Sequence, residues 1–235
     1  MLNIRLSQER GSADHGWLQS KHSFSFASYY DPKHMGFRCL RVINEDIVQP
    51  SQGFGTHGHQ DMEIISYVIK GELEHKDSMG NGSIIRSGDV QYMCAGTGVR
   101  HSEYNASKEN LVHFLQIWIL PNAKNHTPNY QQQNFSTQKQ NQLKLVVDGE
   151  GKDDSLKINQ NIQLYASKLD QGHTATHQFL PDRYGWLQVI KGNLSISSAS
   201  ETISLQAGDG LAISEEEGLN IQANTDADFI LFDLP

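Results

Sequence analysis

Short runs of alternating apolar and polar residues dominate this chain, and helical periodicity is scarce. The runs fall at 38–43 (RCLRVI), 64–69 (IISYVI), 111–119 (LVHFLQIWI), 143–147 (LKLVV), 162–166 (IQLYA), 186–190 (WLQVI), 211–213 and 228–233. They are bounded by Gly, Pro, Asn or Asp, so each predicts a strand. Only residues 12–20 suggest a helical turn. Many short strands at fairly even spacing predict an all-β sandwich or barrel.

The pattern also repeats. YVIKGELEH at 67–75 matches QVIKGNLSI at 188–196, with Gly71 on Gly192. RSGDVQYM at 86–93 matches QAGDGLAI at 206–213, with Gly88 and Asp89 on Gly208 and Asp209. The offsets of 121 and 120 residues imply two related β-domains in one chain. The stretch 123–142 is rich in Gln, Asn, Lys and Thr and reads as a connecting segment. The expected division is therefore a domain over 1–125, a linker over 126–142 and a domain over 143–235.

Two pairs in the first half carry chemistry: His57-Gly58-His59 and His101-Ser102-Glu103. On a strand, an i, i+2 pair shares one face. Two adjacent strands would then aim three imidazoles and one carboxylate at one point. That donor set suits a divalent first-row metal and leaves coordination positions open for catalysis. Shifting these positions by 120 to 121 puts His57 and His59 near Gln178 and Leu180, and His101 and Glu103 on Ile221 and Ala223. The second domain is therefore expected to lack the ligands. His173 and His177 lie nearby but without a downstream partner. The remaining histidines, His15, His22, His34, His75, His113 and His126, read as structural or surface groups, with His113 a hydrogen-bonded core group.

Composition narrows the partners. The 235 residues include 19 Lys and Arg against 27 Asp and Glu, a net charge of −8, with no basic run. A nucleic acid or an anionic membrane surface is a poor partner for such a chain. Two cysteines, Cys39 and Cys94, make no disulfide framework or zinc finger and point to a reducing compartment. The opening segment has no apolar core of a secretory signal, and no stretch is long enough to span a membrane. A cytoplasmic protein is expected.

The segments GFGTHGHQDMEIISYVIKGELEHKDSMG and GTGVRHSEYN, with the opening DHGWLQSKHSFSFASYYDPKHMGFRCLRVINED, resemble the pirin family of bicupins. The resemblance is dense over the first 120 residues and looser beyond, and lies nearest to bacterial pirin-like proteins with quercetin 2,3-dioxygenase activity. It implies two antiparallel cupin β-barrels, the first holding one divalent metal ion through His57, His59, His101 and Glu103. Iron(II) is the family's usual metal, with copper, nickel, cobalt, manganese or zinc as substitutes. The wider cupin pattern would instead take its carboxylate from Glu63. The pirin pattern favours Glu103 and leaves Glu63 as an outer group or alternative ligand.

The resemblance further implies opening of the flavonol ring of quercetin by O2 with release of carbon monoxide, Glu103 acting as base. Phe54, Tyr92 and Met93 are candidates for an apolar pocket wall. Two other readings stay open: a metal-dependent regulatory protein that binds a protein partner without turnover, and a dioxygenase for another enolisable aromatic.

Overall fold

The computed structural model describes residues 1–235 and is almost entirely β-structure. The first half contains β1 (Leu2–Arg5), β2 (Gly11–Asp14), β3 (Leu18–His22), β4 (Leu40–Val48), β5 (Gly53–His59), β6 (Glu63–Lys70), β7 (Glu72–Asp77), β8 (Gly82–Arg86), β9 (Asp89–Cys94), β10 (Val99–Asn105), β11 (Val112–Ile119) and β12 (Asn129–Asn134). The second contains β13 (Lys144–Asp148), β14 (Leu156–Lys157), β15 (Gln163–Leu169), β16 (Thr174–Gln178), β17 (Tyr184–Lys191), β18 (Asn193–Ser197), β19 (Thr202–Gln206), β20 (Gly210–Ile213), β21 (Gly218–Ala223) and β22 (Ala227–Leu234). No helix is long and apolar enough to cross a membrane.

The strands form two compact units of the same design. One unit has a seven-stranded sheet in the order β12-β9-β6-β11-β4-β3-β2 and a four-stranded sheet β5-β10-β7-β8. The other has β1-β20-β17-β22-β15-β13-β14 and β16-β21-β18-β19. Each is a cupin barrel, as the repeat and the resemblance imply. The repeated glycines occupy equivalent turns. Gly71 and Gly192 have φ of +85° and +81°, and Gly88 and Gly208 have +94° and +86°. The aspartates that follow the second pair act alike: Asp89 accepts the Arg86 amide at 2.8 Å, and Asp209 the Gln206 amide at 2.9 Å.

The glycines carry a testable consequence. A Cβ on Gly192 would lie 2.2 Å from the Asp226 carbonyl oxygen and 2.9 Å from the Ala227 Cα. Those are backbone atoms and cannot swing away, and the positive φ adds strain for any L-residue. Gly192→Ala is expected to lower unfolding free energy by at least about 2 kcal/mol. Urea denaturation followed by circular dichroism checks it; an unchanged midpoint would refute the steric reading.

The domain boundaries differ from expectation. Met1–Arg10 belongs to the unit made of residues 135–157 and 161–235, while 158–160 belongs to the unit made of 11–134. β1 pairs antiparallel with β20, from Leu2 opposite Ile213 to Arg5 opposite Gly210. β12 pairs antiparallel with β9 at the corresponding edge of the other sheet. Each barrel thus has the backbone of an exposed edge strand satisfied by one added strand. The expected linker over 126–142 therefore contains a strand. Its sequence, NYQQQN, is polar because an edge strand at the surface buries little. The helical turn expected over 12–20 is instead a hairpin, β2 and β3, turning near Gly16 with φ of +78°. Leu18, Ser20 and His22 alternate inward along it.

Candidate metal centre

The centre is built on β5 and β10, adjacent antiparallel strands in which His101 lies directly opposite His57 and Val99 opposite His59. Both i, i+2 pairs project into the barrel. The ring centroids of His57, His59 and His101 are 4.5–4.9 Å apart. The three residues offer ligand nitrogens within 4.8 Å of one another. Glu103 falls in a second, fully buried group with His75 and His101 by the same measure. A bulge in the β5–β10 pairing between His101 and Glu103 resets the register, so Glu103 stands opposite Phe54.

The hydrogen bonds show which nitrogens are free. The Nδ1–H of His57 donates to the Gly55 carbonyl at 2.8 Å, which leaves its Nε2 as a lone pair. That Nε2 is 3.1 Å from the Nε2 of His101. His101 is 1 % exposed, and its Nδ1 has no partner. Burial first, then the neighbouring imidazoles, push His101 down to about 3. Burial and His57 push His59 down to about 4. Both are therefore neutral near pH 7, the form that binds metals. Without a cation the Nε2–H of His101 donates to the His57 lone pair; a bound cation would take both nitrogens in place of this hydrogen bond. This donor set, three imidazoles beside a buried carboxyl group, fits a divalent first-row metal.

Glu103 is held from behind. Its Oε1 is 3.2 Å from the Ser66 hydroxyl, and its Oε2 accepts from Gln116 Nε2 at 3.4 Å. The same hydroxyl lies 3.0 Å from Gln116 Oε1. Ser66 has one proton and two acceptors, so a protonated Glu103 completes the ring by donating to Ser66 while Ser66 donates to Gln116. Burial pushes the Glu103 carboxyl up to about 7; the Ser66 hydrogen bond opposes this and the charge of Asp46 adds to it. A carboxyl poised there can hold or release a proton at physiological pH.

Glu63 sits elsewhere. It accepts from the Tyr92 hydroxyl and from the Asn159 amide at 3.0 Å, and Asn159 Nδ2 reaches its other oxygen at 3.4 Å. It fastens the segment 158–160 to the barrel and joins neither histidine group. Glu63, expected as an outer group or alternative ligand, lies on β6, in the other sheet from β5 and β10, with its oxygens engaged by Tyr92 and Asn159. Tyr92 is committed to the same network. Met93 packs with Ile64 and Val99, and Phe54 edges onto Trp17 at 5.3 Å.

Two neighbours were missed in the sequence. His75 lies on β7 opposite Glu103, fully buried. It donates from Nε2 to Asp77 at 3.0 Å and stacks on Tyr130 at 4.9 Å, while its Nδ1 has no partner. The alternation Leu73, His75, Asp77 was the available signal. Trp118 meets the His59 ring edge-on at 5.0 Å, and Phe26 meets Trp118 at 5.4 Å. A cavity of about 360 Å³ opens beside His59, lined by Gly58, Gln60, Ser78, Thr97, Gly98 and Arg100 among others. Its lining residues are more polar than expected, drawn from the ends of β5 and β10 and the turns beside them; the aromatic surface next to the centre comes from Trp118.

Strand register corrects the comparison of the two barrels. Leu73 and Leu194 each follow a repeated glycine by two residues and face Asn105 and Ala223. Glu103 opposite His75 therefore corresponds to Ile221 opposite Ile196, and His101 to Leu219. His57 corresponds to His177, which faces Leu219, and His59 to Phe179. The second barrel fills these positions with Leu219, Ile196 and Ile221, each at most 2 % exposed. Its core is packed where the first has a polar cluster.

The fold and this cluster define a metal-binding cupin of the two-barrel class. The Pirin family model matches residues 3–119, and that of the quercetinase C-terminal cupin domain matches 145–234. The chain belongs to the pirin family. It is 48 % identical to quercetin 2,3-dioxygenase of Escherichia coli strain K12, covering 100 % of this chain and 99 % of that one. It is 38 % identical to a pirin-like protein of Caulobacter vibrioides, covering 99 % of each. The crystal structure of the bacterial pirin YhhW from Escherichia coli in complex with nickel(II) matches with a TM-score of 0.94 at 46 % identity, covering 100 % of this chain and 99 % of that one.

Proposed function

We propose that the protein is a metal-dependent quercetin 2,3-dioxygenase, opening the flavonol ring with O2 and releasing carbon monoxide. The observation that carries this reading is the juxtaposition of three imidazoles with a buried carboxyl poised near pH 7. His57, His59, His101 and Glu103 would hold one divalent ion, with iron(II) as first choice. Such an ion supplies Lewis acidity toward the substrate's oxygens. Glu103 takes the proton of the flavonol 3-hydroxyl, and the Ser66–Gln116 pair keeps its carboxyl oriented. Trp118, edge-on to His59, offers a flat apolar surface for the ring system. The naming of the Escherichia coli relative as quercetin 2,3-dioxygenase supports the substrate class. The two cysteines are free, which suits a reducing cytoplasm.

The test is anaerobic loading with iron(II), then quercetin, then air. Loss of the flavonol absorbance together with release of carbon monoxide is expected. Tight metal binding with no turnover under iron, nickel, copper, cobalt or manganese would overturn the enzyme reading in favour of a metal-dependent regulatory role.

A further inference from the structure

The second barrel lost three of the four metal-site positions but kept a histidine at the fourth. His177, the counterpart of His57, has a different setting. Its Nε2 is 2.8 Å from Oδ2 of Asp233. A carboxylate only accepts, so Nε2 carries the proton, and in the neutral ring Nδ1 is the lone pair. Nδ1 makes no hydrogen bond within the protein and is not sealed from solvent. The ring is fixed edge-on by Tyr165 at 5.0 Å and Phe179 at 4.6 Å. Asp233 is itself fixed by Arg183, whose Nη2 donates to the Asp233 carbonyl at 2.8 Å while Nη1 donates to Asn161. The side chain of His177 is 8 % exposed, so this is an oriented, largely buried acceptor.

His177 lines a cavity of about 410 Å³ in this unit. That volume lies in the range of small-molecule pockets. The charges around it argue against an ionic ligand. Arg183 is spent on Asp233, and Lys152 pairs with Glu150 at 2.7 Å. Asp148 stays a carboxylate because, against the cost of burial, the amides of Glu150 and Lys152 hold it low. No cation is left over for an anion, and the carboxylates are already satisfied. Leu180, 74 % exposed, and Pro181 form an apolar lip. Leu180, Pro181 and the Tyr165 ring are the apolar part of a lining otherwise made of polar groups, and beside one oriented acceptor they suit a small ligand with a compact apolar body and one hydroxyl donor.

We infer that the cavity at His177, Asp233 and Leu180 binds a neutral hydroxylated aromatic ring, its hydroxyl donating to Nδ1 of His177 and its face resting on Leu180 and Pro181. This site is separate from the candidate metal centre and does not depend on the flavonol reading. The Tyr165 hydroxyl, pushed up to about 12 by burial and by the charges of Asp233 and Asp148, stays a donor and is engaged by Gln163 at 3.0 Å, so it does not compete for Nδ1.

The probes are phenol and anisole, which differ in the donor hydroxyl. The readout is the ¹⁵N shift of the His177 imidazole in the full chain. A saturable shift with phenol is expected, with anisole at least about tenfold weaker, the cost of one unmade hydrogen bond. Leu180→Asp, at a position 74 % exposed, is expected to weaken phenol binding about tenfold, and His177→Phe, followed by titration calorimetry, to abolish it with metal content and thermal midpoint unchanged. Binding should persist in His101→Ala, which separates it from the metal centre. Equal affinity for phenol and anisole, no saturable shift, displacement of phenol by acetate, or insensitivity to Leu180→Asp would each overturn the inference.

Discussion

His101→Ala is expected to lose metal affinity by more than about a hundredfold and to abolish turnover. Outer groups that only orient a ligand already cost about ten- to a hundredfold when removed, so a central ligand costs more. His101 is central: it faces His57, contacts His59 and belongs to both ligand groups. The fold should survive. The apolar cores of this unit rest on Leu18, Val48, Val68, Leu73, Ile85, Val112 and Phe114, and on Ile64, Met93 and Val99, without His101. In the metal-free protein the substitution also removes a buried ring with an unpartnered nitrogen, which offsets part of the cavity cost. Elemental analysis and a thermal melt check both halves of the expectation. Full metal occupancy in His101→Ala would refute the ligand assignment. Glu63→Gln is the matched control. It should weaken the anchoring of segment 158–160 and lower stability while leaving metal content unchanged, because its hydrogen bonds go to Tyr92 and Asn159.

What was legible in the chain follows from where side chains face. Apolar runs such as 64–69, 112–119 and 228–233 lie within β6, β11 and β22, where burial is nearly continuous. The repeat was legible because Gly71 and Gly192 meet the same backbone obstruction and cannot vary freely. β12 was not legible, since a polar edge strand follows no apolar alternation. The register between barrels slipped as well. Offsets of 120 and 121 hold near the glycines, but by β10 and β21 the offset is 118, with Glu103 on Ile221. A shorter connection before β21 is invisible to a fixed shift. His57 and His177 are 120 apart, so a shift of 121 passes over that match by one residue. His75 and Trp118 were hidden for another reason. Each belongs to a strand with an ordinary pattern, and only the closure of the barrel brings it to the histidines.

Glu103→Gln separates binding from proton transfer. The amide is nearly isosteric and keeps a carbonyl for Ser66 or Gln116, so the barrel should be undisturbed. Three imidazoles remain, and the variant should still take up metal, more weakly. Turnover of quercetin should fall by about 10²- to 10⁴-fold, the usual contribution of a positioned base. The pH dependence of metal affinity gives a second readout that a structural role would not move. Glu103 has its folded-state pKa raised to about 7 from 4.5 by burial, so below that pH it is protonated before metal arrives. Metal must expel that proton, and apparent affinity should fall as pH drops from about 7 toward 5. His59 and His101, held down to about 4 and 3, are neutral across that window and add no such slope. The amide has no proton to expel, so Glu103→Gln should flatten the slope by one proton. The same shift acts on folding: between pH 4.5 and 7 the folded metal-free protein binds more protons at this site than the unfolded chain. Its stability contribution is therefore present below 4.5 and lost as pH rises through 7, and the variant removes that loss. Metal titrations at pH 5.5, 6.5 and 7.5 on both proteins decide it; parallel slopes, or a variant with full turnover, would remove Glu103 from the role of base.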